Sequence, residues 1–208
     1  MNAELRSWIC DTPEERERKS EREFARYPRL IKEMGLDLIR TDNKVVLDIG
    51  CGPRGILYHL PAKYKYAIDP LIDQYDKYYD LNFIDGLIKG KGEDMRVLRG
   101  NEIDLVTTVN SLDHCQFPEK VLREVRRVLA PSGYLAVHFC LNLAKNHPHP
   151  SHRLNINYET FHNMIDEDFE TVHELKYPEI RYGWVKGPDG KCGLPALAGL
   201  YRLTTKGG

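Results

Sequence analysis

The chain has 208 residues, of which 41% are hydrophobic and 29% charged, enough for one domain with a sizeable core. Thirty basic residues against thirty-one acidic ones leave a formal charge of -1, which excludes a global attraction to nucleic acid or to an anionic membrane. No apolar run approaches the ~20 residues that span a bilayer, and MNAELRSWICDTPEERERK has no apolar signal core, so a soluble, cytoplasmic protein with no membrane partner is expected.

The first 40 residues read as a helical segment packed on the domain and reaching toward its pocket. Thr12 is placed as an N-cap, with Pro13 at the first helical position and Glu15 completing a capping box. PEERERKSEREFARY and, after Pro28, RLIKEMGLDLI are expected as two helices, the first with a solvated charged face. Residues 41 to 208 form the main domain. From residue 44 short apolar runs alternate with helical stretches: strand KVVLDIG, helix RGILYHL, strand YKYAID, helix DQYDKYYD, weak strand GLIKG and strong strand EIDLVTTVN. The amphipathic helix PEKVLREVRRVLA follows, stopped by Pro131 and Gly133 before the strand YLAVHFCL. This rhythm implies an α/β fold with a parallel sheet and helices on both faces. At the end of the chain helix NYETFHNMID leads to strands DFETVHELKY and LPALAGLYRLTT with no helix between them, so those two pair antiparallel.

Ligands of an open parallel sheet bind outside the carboxyl ends of its strands. In VVLDIGCGPRG the glycines 50, 52 and 55 fit GxGxxG, so a dinucleotide is one reading. Two residues oppose it. The charge of Asp48 repels a diphosphate and suits a cation, and Pro53 removes a backbone donor from the turn. Asp69, 21 residues after Asp48 and followed by Pro70, is placed to accept hydrogen bonds from ribose hydroxyls, and GEDM at 92 to 95 could hold an adenine edge. Each acid also has a structural reading: Asp48 as a helix cap, Asp69 as a turn residue, GEDM as a helix start. The cysteines Cys10, Cys51, Cys115, Cys140 and Cys192 form no CxxC pair and read as reduced thiols.

DIGCG, Asp69, GEDM, DLVTTVNSLDHC and VLREVRRVLAPSGYLAVHF together resemble the ordered motifs of class I S-adenosylmethionine-dependent methyltransferases, in their small-molecule, methyltransferase-domain-11-like branch. The likeness covers roughly residues 40 to 141. It implies a Rossmann-like, doubly wound seven-stranded sheet in the order 3-2-1-4-5-7-6 with strand 7 antiparallel. It implies S-adenosyl-L-methionine as cofactor, S-adenosyl-L-homocysteine as product and a small organic methyl acceptor. By the same resemblance Asp48, Gly50, Cys51 and Gly52 flank the methionine part of the cofactor. Asp69 and Pro70 lie at the ribose, Glu93, Asp94 and Met95 at the adenine, and Asn110 and Ser111 beside the ligand's amino-acid portion and the transferable methyl; Gly55 is left to helix packing.

Methyl transfer needs the acceptor held behind the methyl carbon, and a base only where a proton must leave. His114, just past the fourth strand, is the candidate base and Asp113 its orienting partner; both could instead shape the loop. His147, His149, His152 and Arg153 leave the fifth strand toward the same pocket and read as substrate contacts. The prolines among them and the lack of a nearby carboxylate or cysteine weigh against a metal site. Tyr182 and Trp184, in the long connection before the last strand, could wall an organic acceptor. No Asp/Asn-Pro-Pro-aromatic tetrapeptide or Pro-Cys follows the fourth strand, so a DNA acceptor is not expected, whereas a structured RNA or a protein remains open. Two other functions compete: an NAD-dependent oxidoreductase, and a non-catalytic S-adenosylmethionine-binding partner or sensor.

Overall fold

A computed structural model describes residues 3–10, 12–53, 55–142, 145, 154–180 and 194–204. Strands β1 (Val45–Ile49), β2 (Tyr64–Asp69), β3 (Gly86–Lys89) and β4 (Ile103–Val109) arise from short runs rich in branched and aromatic residues. β1 lies between β2 and β4, parallel to both, with Asp48 opposite Ala67 on one side and Thr107 on the other. β5 (Leu129–Cys140) continues the parallel set beyond β4; β7 (Leu194–Leu203) then runs antiparallel between β5 and the edge strand β6 (Phe169–Ile180). The order is β3-β2-β1-β4-β5-β7-β6, as expected, and it reverses direction between β1 and β4. That reversal opens the crevice in which such sheets bind ligands.

Two apolar layers cover the sheet. On one face α4 (Pro118–Val128) lays Val121, Leu122, Val125 and Val128 against Leu47, Val106 and Val137. Phe161 of α5 (Tyr158–Ile165) joins them beside Phe139, with ring centroids 5.1 Å apart. Truncating such a buried aromatic to alanine costs about 3–5 kcal/mol. On the other face Leu30 of α2 (Pro13–Glu33) and Met34 just after it pack over Val46, Leu105, Ala136, Ala198 and Leu200. Among the described residues no helix is long and apolar enough to cross a membrane.

Local structure departs from the sequence reading in five places. β5 begins at Leu129, within the expected helix, and takes Pro131 and Gly133 into the strand. A short helix, α1 (Ala3–Ile9), precedes α2. Pro28 does not divide α2, which runs unbroken through it. Proline lacks the N–H that would bond the Phe24 carbonyl; beside it the His59 imidazole packs on the Phe24 ring, with centroids 4.1 Å apart and planes tilted by 50°. RGILYHL yields a single 3-10 turn at Ile56–Tyr58, because Pro61 follows too soon for a helix to propagate. DQYDKYYD yields one helical turn, α3 (Ile72–Tyr75): Asp and Tyr are poor helix formers, and the tyrosines are drawn into the core at Tyr75 and Tyr79.

Candidate active site

The β1 turn is shaped by two glycines in the left-handed region, Gly50 at φ 67° and Gly52 at φ 56°. Gly50 donates its N–H to the Ile68 carbonyl at 2.8 Å, and its bare Cα faces Ser111 so closely that a β-carbon would lie 2.4 Å from Ser111 Cβ. The first glycine therefore closes the turn against the end of β4. Gly52 faces outward, under the indole of Trp8 from α1, which lies 3.7 Å from where its β-carbon would be. Gly55 is packed by neither glycine's rule: a β-carbon there would meet the Cys51 carbonyl at 2.7 Å and the Asp48 carboxylate at 2.9 Å.

Asp48 is buried at the turn and accepts a hydrogen bond from Thr107 Oγ1 at 2.7 Å. Burial pushes its carboxyl up to about 7; the Thr107 hydroxyl pulls the other way, and the charge of Asp69 adds to the rise. The same burial, with Asp69 and Asp48 nearby, lifts the Cys51 thiol well above its ordinary range. Asp69 accepts the backbone N–H of Gly52 at 3.1 Å and of Leu71 at 2.8 Å, so it ties the β1 turn to the end of β2, past the exposed Pro70.

The GEDM segment is fastened to α4. Glu93 accepts the N–H of Gln116 at 2.9 Å, just before the helix. Met95 is fully buried, its N–H bonded to Glu124 at 2.8 Å and its carbonyl to Arg127 at 2.9 Å. The Asp94 carboxylate pairs with Arg96 through two hydrogen bonds at 2.7 and 2.6 Å. An open cleft of about 490 Å³ borders this segment, lined in part by Glu93, Asp94, Phe117 and Lys120.

At the end of β4, Asn110 takes a left-handed backbone with φ 51°. Ser111 Oγ lies 2.6 Å from Thr108 Oγ1 and donates to the Ile49 carbonyl at 2.6 Å. Asp113 is buried and accepts the Cys140 N–H at 3.1 Å, fixing the 3-10 turn Leu112–His114 to the end of β5. His114 is half-buried on that turn. His147, His149, His152, Arg153, Tyr182 and Trp184 lie outside the described residues.

A buried acid that resists ionising, a bare glycine surface and a second acid at the next strand suit a ligand that carries both a positive charge and hydroxyl groups. Residues 47–137 match the family model described as a methyltransferase domain. Over that stretch, less than half of its length, the chain is similar to a methyltransferase domain. Over 108 residues it is 32% identical to a rat protein named thiol S-methyltransferase TMT1B, a match that covers 48% of this chain and 44% of the rat protein. The chain thus matches less than half the length of that curated relative. The YcgJ protein of Bacillus subtilis superposes with a TM-score of 0.66 at 14% identity, over 85% of this chain and 99% of that one. The 4+2 cyclase SpnF also shares the fold, with a TM-score of 0.63 at 15% identity over 88% of this chain and 81% of that one. The fold alone does not fix the reaction.

A polar stripe runs along the α2 face of the sheet, which sequence patterning did not bring out. Ser20, Glu23, Tyr27 and Leu30 are the buried positions of α2, at helical spacing but mostly polar, so the stripe carries no apolar signature. Glu23 pairs with Arg26 at 3.1 Å. Burial pushes the Tyr27 phenol up to about 12, against the pull of Arg26 and with a push from Asp48, which puts the ring in the field of the β1 acid. Ser20 Oγ is buried and has no hydrogen-bond partner among the described residues. Across the sheet stand Asp48, Thr107 and His138, each buried. Thr107 and His138 did carry a signal: each is a polar residue inside an otherwise apolar strand.

Proposed function

We propose that this chain is an S-adenosylmethionine-dependent methyltransferase acting on a small organic acceptor, with a thiol as the first class to test. The observation that carries this reading is Asp48: a buried carboxyl, raised to about 7 and set against a bare glycine turn, which a cationic partner would bring into its ionised form. Asp48, Gly50, Cys51 and Gly52 would hold the sulfonium and amino-acid end, Asp69 and Pro70 the ribose, and Glu93, Asp94 and Met95 the adenine beside their cleft. Asn110 and Ser111 would border the cofactor's amino-acid portion and its methyl group. When bound, the cofactor supplies an activated methyl group with its own leaving group. The chain's own work is then to orient the acceptor and exclude water.

The name of the rat relative supports sulfur as the acceptor atom. A thiol ionises near about 8.5 in water, so it makes a modest demand on a base. His114 is proposed to receive that proton, and Asp113 to hold the turn that carries it. His147, His149, His152, Arg153, Tyr182 and Trp184 are proposed to contact the acceptor. The described cysteines are free thiols, which suits the reducing cytoplasm.

Titration calorimetry with S-adenosylhomocysteine, S-adenosylmethionine and NAD tests the cofactor, and S-adenosylhomocysteine release with thiol, phenol and amine panels tests the reaction. Micromolar binding of the first two and turnover with thiols are expected. Binding of NAD alone would make the chain an oxidoreductase. Tight cofactor binding with no turnover on any panel would make it a sensor or partner subunit.

A further inference from the structure

His138 holds Asn110 at two points. Its carbonyl accepts the Asn110 N–H at 2.6 Å, and its Nδ1 lies 2.8 Å from Asn110 Oδ1. Asn110 sits in the left-handed region one residue past the end of β4, a backbone state that a residue with a side chain keeps when its surroundings fasten it. The next residue, Ser111, closes on Gly50, so the clamped asparagine borders the glycine turn.

The imidazole is neutral. Burial first, and then the positive charges of Arg26 and Arg29, push it down to about 3. A neutral imidazole has one N–H, and one that faces an amide oxygen carries it on Nδ1. Asn110 Oδ1 is thereby occupied, and the NH2 group is left as the half of the carboxamide directed away from His138.

We propose that His138 is a positioning residue: its Nδ1–H fixes the Asn110 carboxamide in one orientation, so that the NH2 group donates to the carboxylate of the cofactor's amino-acid portion. The inference rests on the cofactor reading above and adds a residue to it. Without that hold the carboxamide turns away and its hydrogen bond to the carboxylate is lost; turned over, it would present an oxygen, and two acceptors repel.

Two ligands separate orientation from structure. S-adenosylhomocysteine has the amino-acid carboxylate; 5'-methylthioadenosine shares its nucleoside and sulfur but lacks that carboxylate. His138→Leu is expected to weaken S-adenosylhomocysteine binding about tenfold, the worth of one oriented hydrogen bond to a charged group, and to leave methylthioadenosine binding unchanged. His138→Asn, whose amide nitrogen can occupy the place of Nδ1, is expected to restore most of the loss. Equal weakening of both ligands, or no rescue by asparagine, overturns the proposal. Nitrogen-15 spectra of the histidines in the wild-type protein test it without a variant: a His138 proton on Nε2, or an imidazolium at pH 7, overturns it. Wild-type protein that binds neither ligand overturns the cofactor reading itself.

Discussion

Ser111 occupies the space where a side chain on Gly50 would go, with 2.4 Å between its Cβ and the β-carbon that Gly50 lacks. Gly52 shares the left-handed backbone but has only the Trp8 indole above it, at an ordinary contact distance of 3.7 Å. The two glycines should therefore fail differently. Gly52→Ala is expected to cost about 1–2 kcal/mol, the backbone strain alone. Gly50→Ala is expected to cost at least twice that, because Ser111 is held by its own hydrogen bonds to β1 and β4 and cannot step aside. Urea unfolding of both variants checks the order; equal losses would mean that Ser111 yields.

Asp48 predicts an unusual pH dependence. Its folded carboxyl titrates near 7 and its unfolded one near 3.8, so between those values the folded chain binds more protons than the unfolded chain. Its contribution to stability is therefore full below about pH 4 and is lost as pH rises to about 7. Asp48→Asn keeps an acceptor for Thr107 and removes the titration. The variant should lose this slope and be the more stable protein at pH 8 without ligand, as read from urea midpoints across pH. A wild-type slope that survives in the variant would assign it to other groups.

The same carboxyl predicts how affinity follows pH. A sulfonium favours the ionised acid, so S-adenosylmethionine should bind more tightly as pH rises from 6 to 8 and should release a proton on binding near neutrality. S-adenosylhomocysteine, whose sulfur is neutral, should show a smaller dependence. Calorimetry in buffers of different ionisation heat measures the proton directly, and Asp48→Asn should abolish the difference between the ligands.

Arg127 holds the segment after β3 by donating to the carbonyls of Leu98 at 3.0 Å and Met95 at 2.9 Å while paired with Glu124. Arg127→Lys keeps the charge but cannot reach both carbonyls and the carboxylate at once. It should lower the unfolding free energy by about 1–3 kcal/mol and weaken adenosine binding at the neighbouring cleft. Thermal unfolding and titration with S-adenosylhomocysteine check the two effects together.

The strand pattern, its parallel course and the antiparallel final pair were legible in the sequence, because alternation of buried runs and amphipathic helices dictates which surfaces must be covered. So was the glycine turn with its acids, whose spacing is local. Helix lengths were less legible: Pro28 reads as a break, yet α2 runs through it because Tyr27 and Leu30 on either side are buried against the sheet. The candidate site divides in the same way. Asp48, Gly50, Gly52 and Asp69 announce themselves along the chain. The tertiary structure decided what each one faces: Trp8 over Gly52, Ser111 against Gly50, the polar stripe of α2 over Asp48, and His138 on Asn110. These partners are set by packing between elements far apart in sequence, where periodicity within one element holds no information.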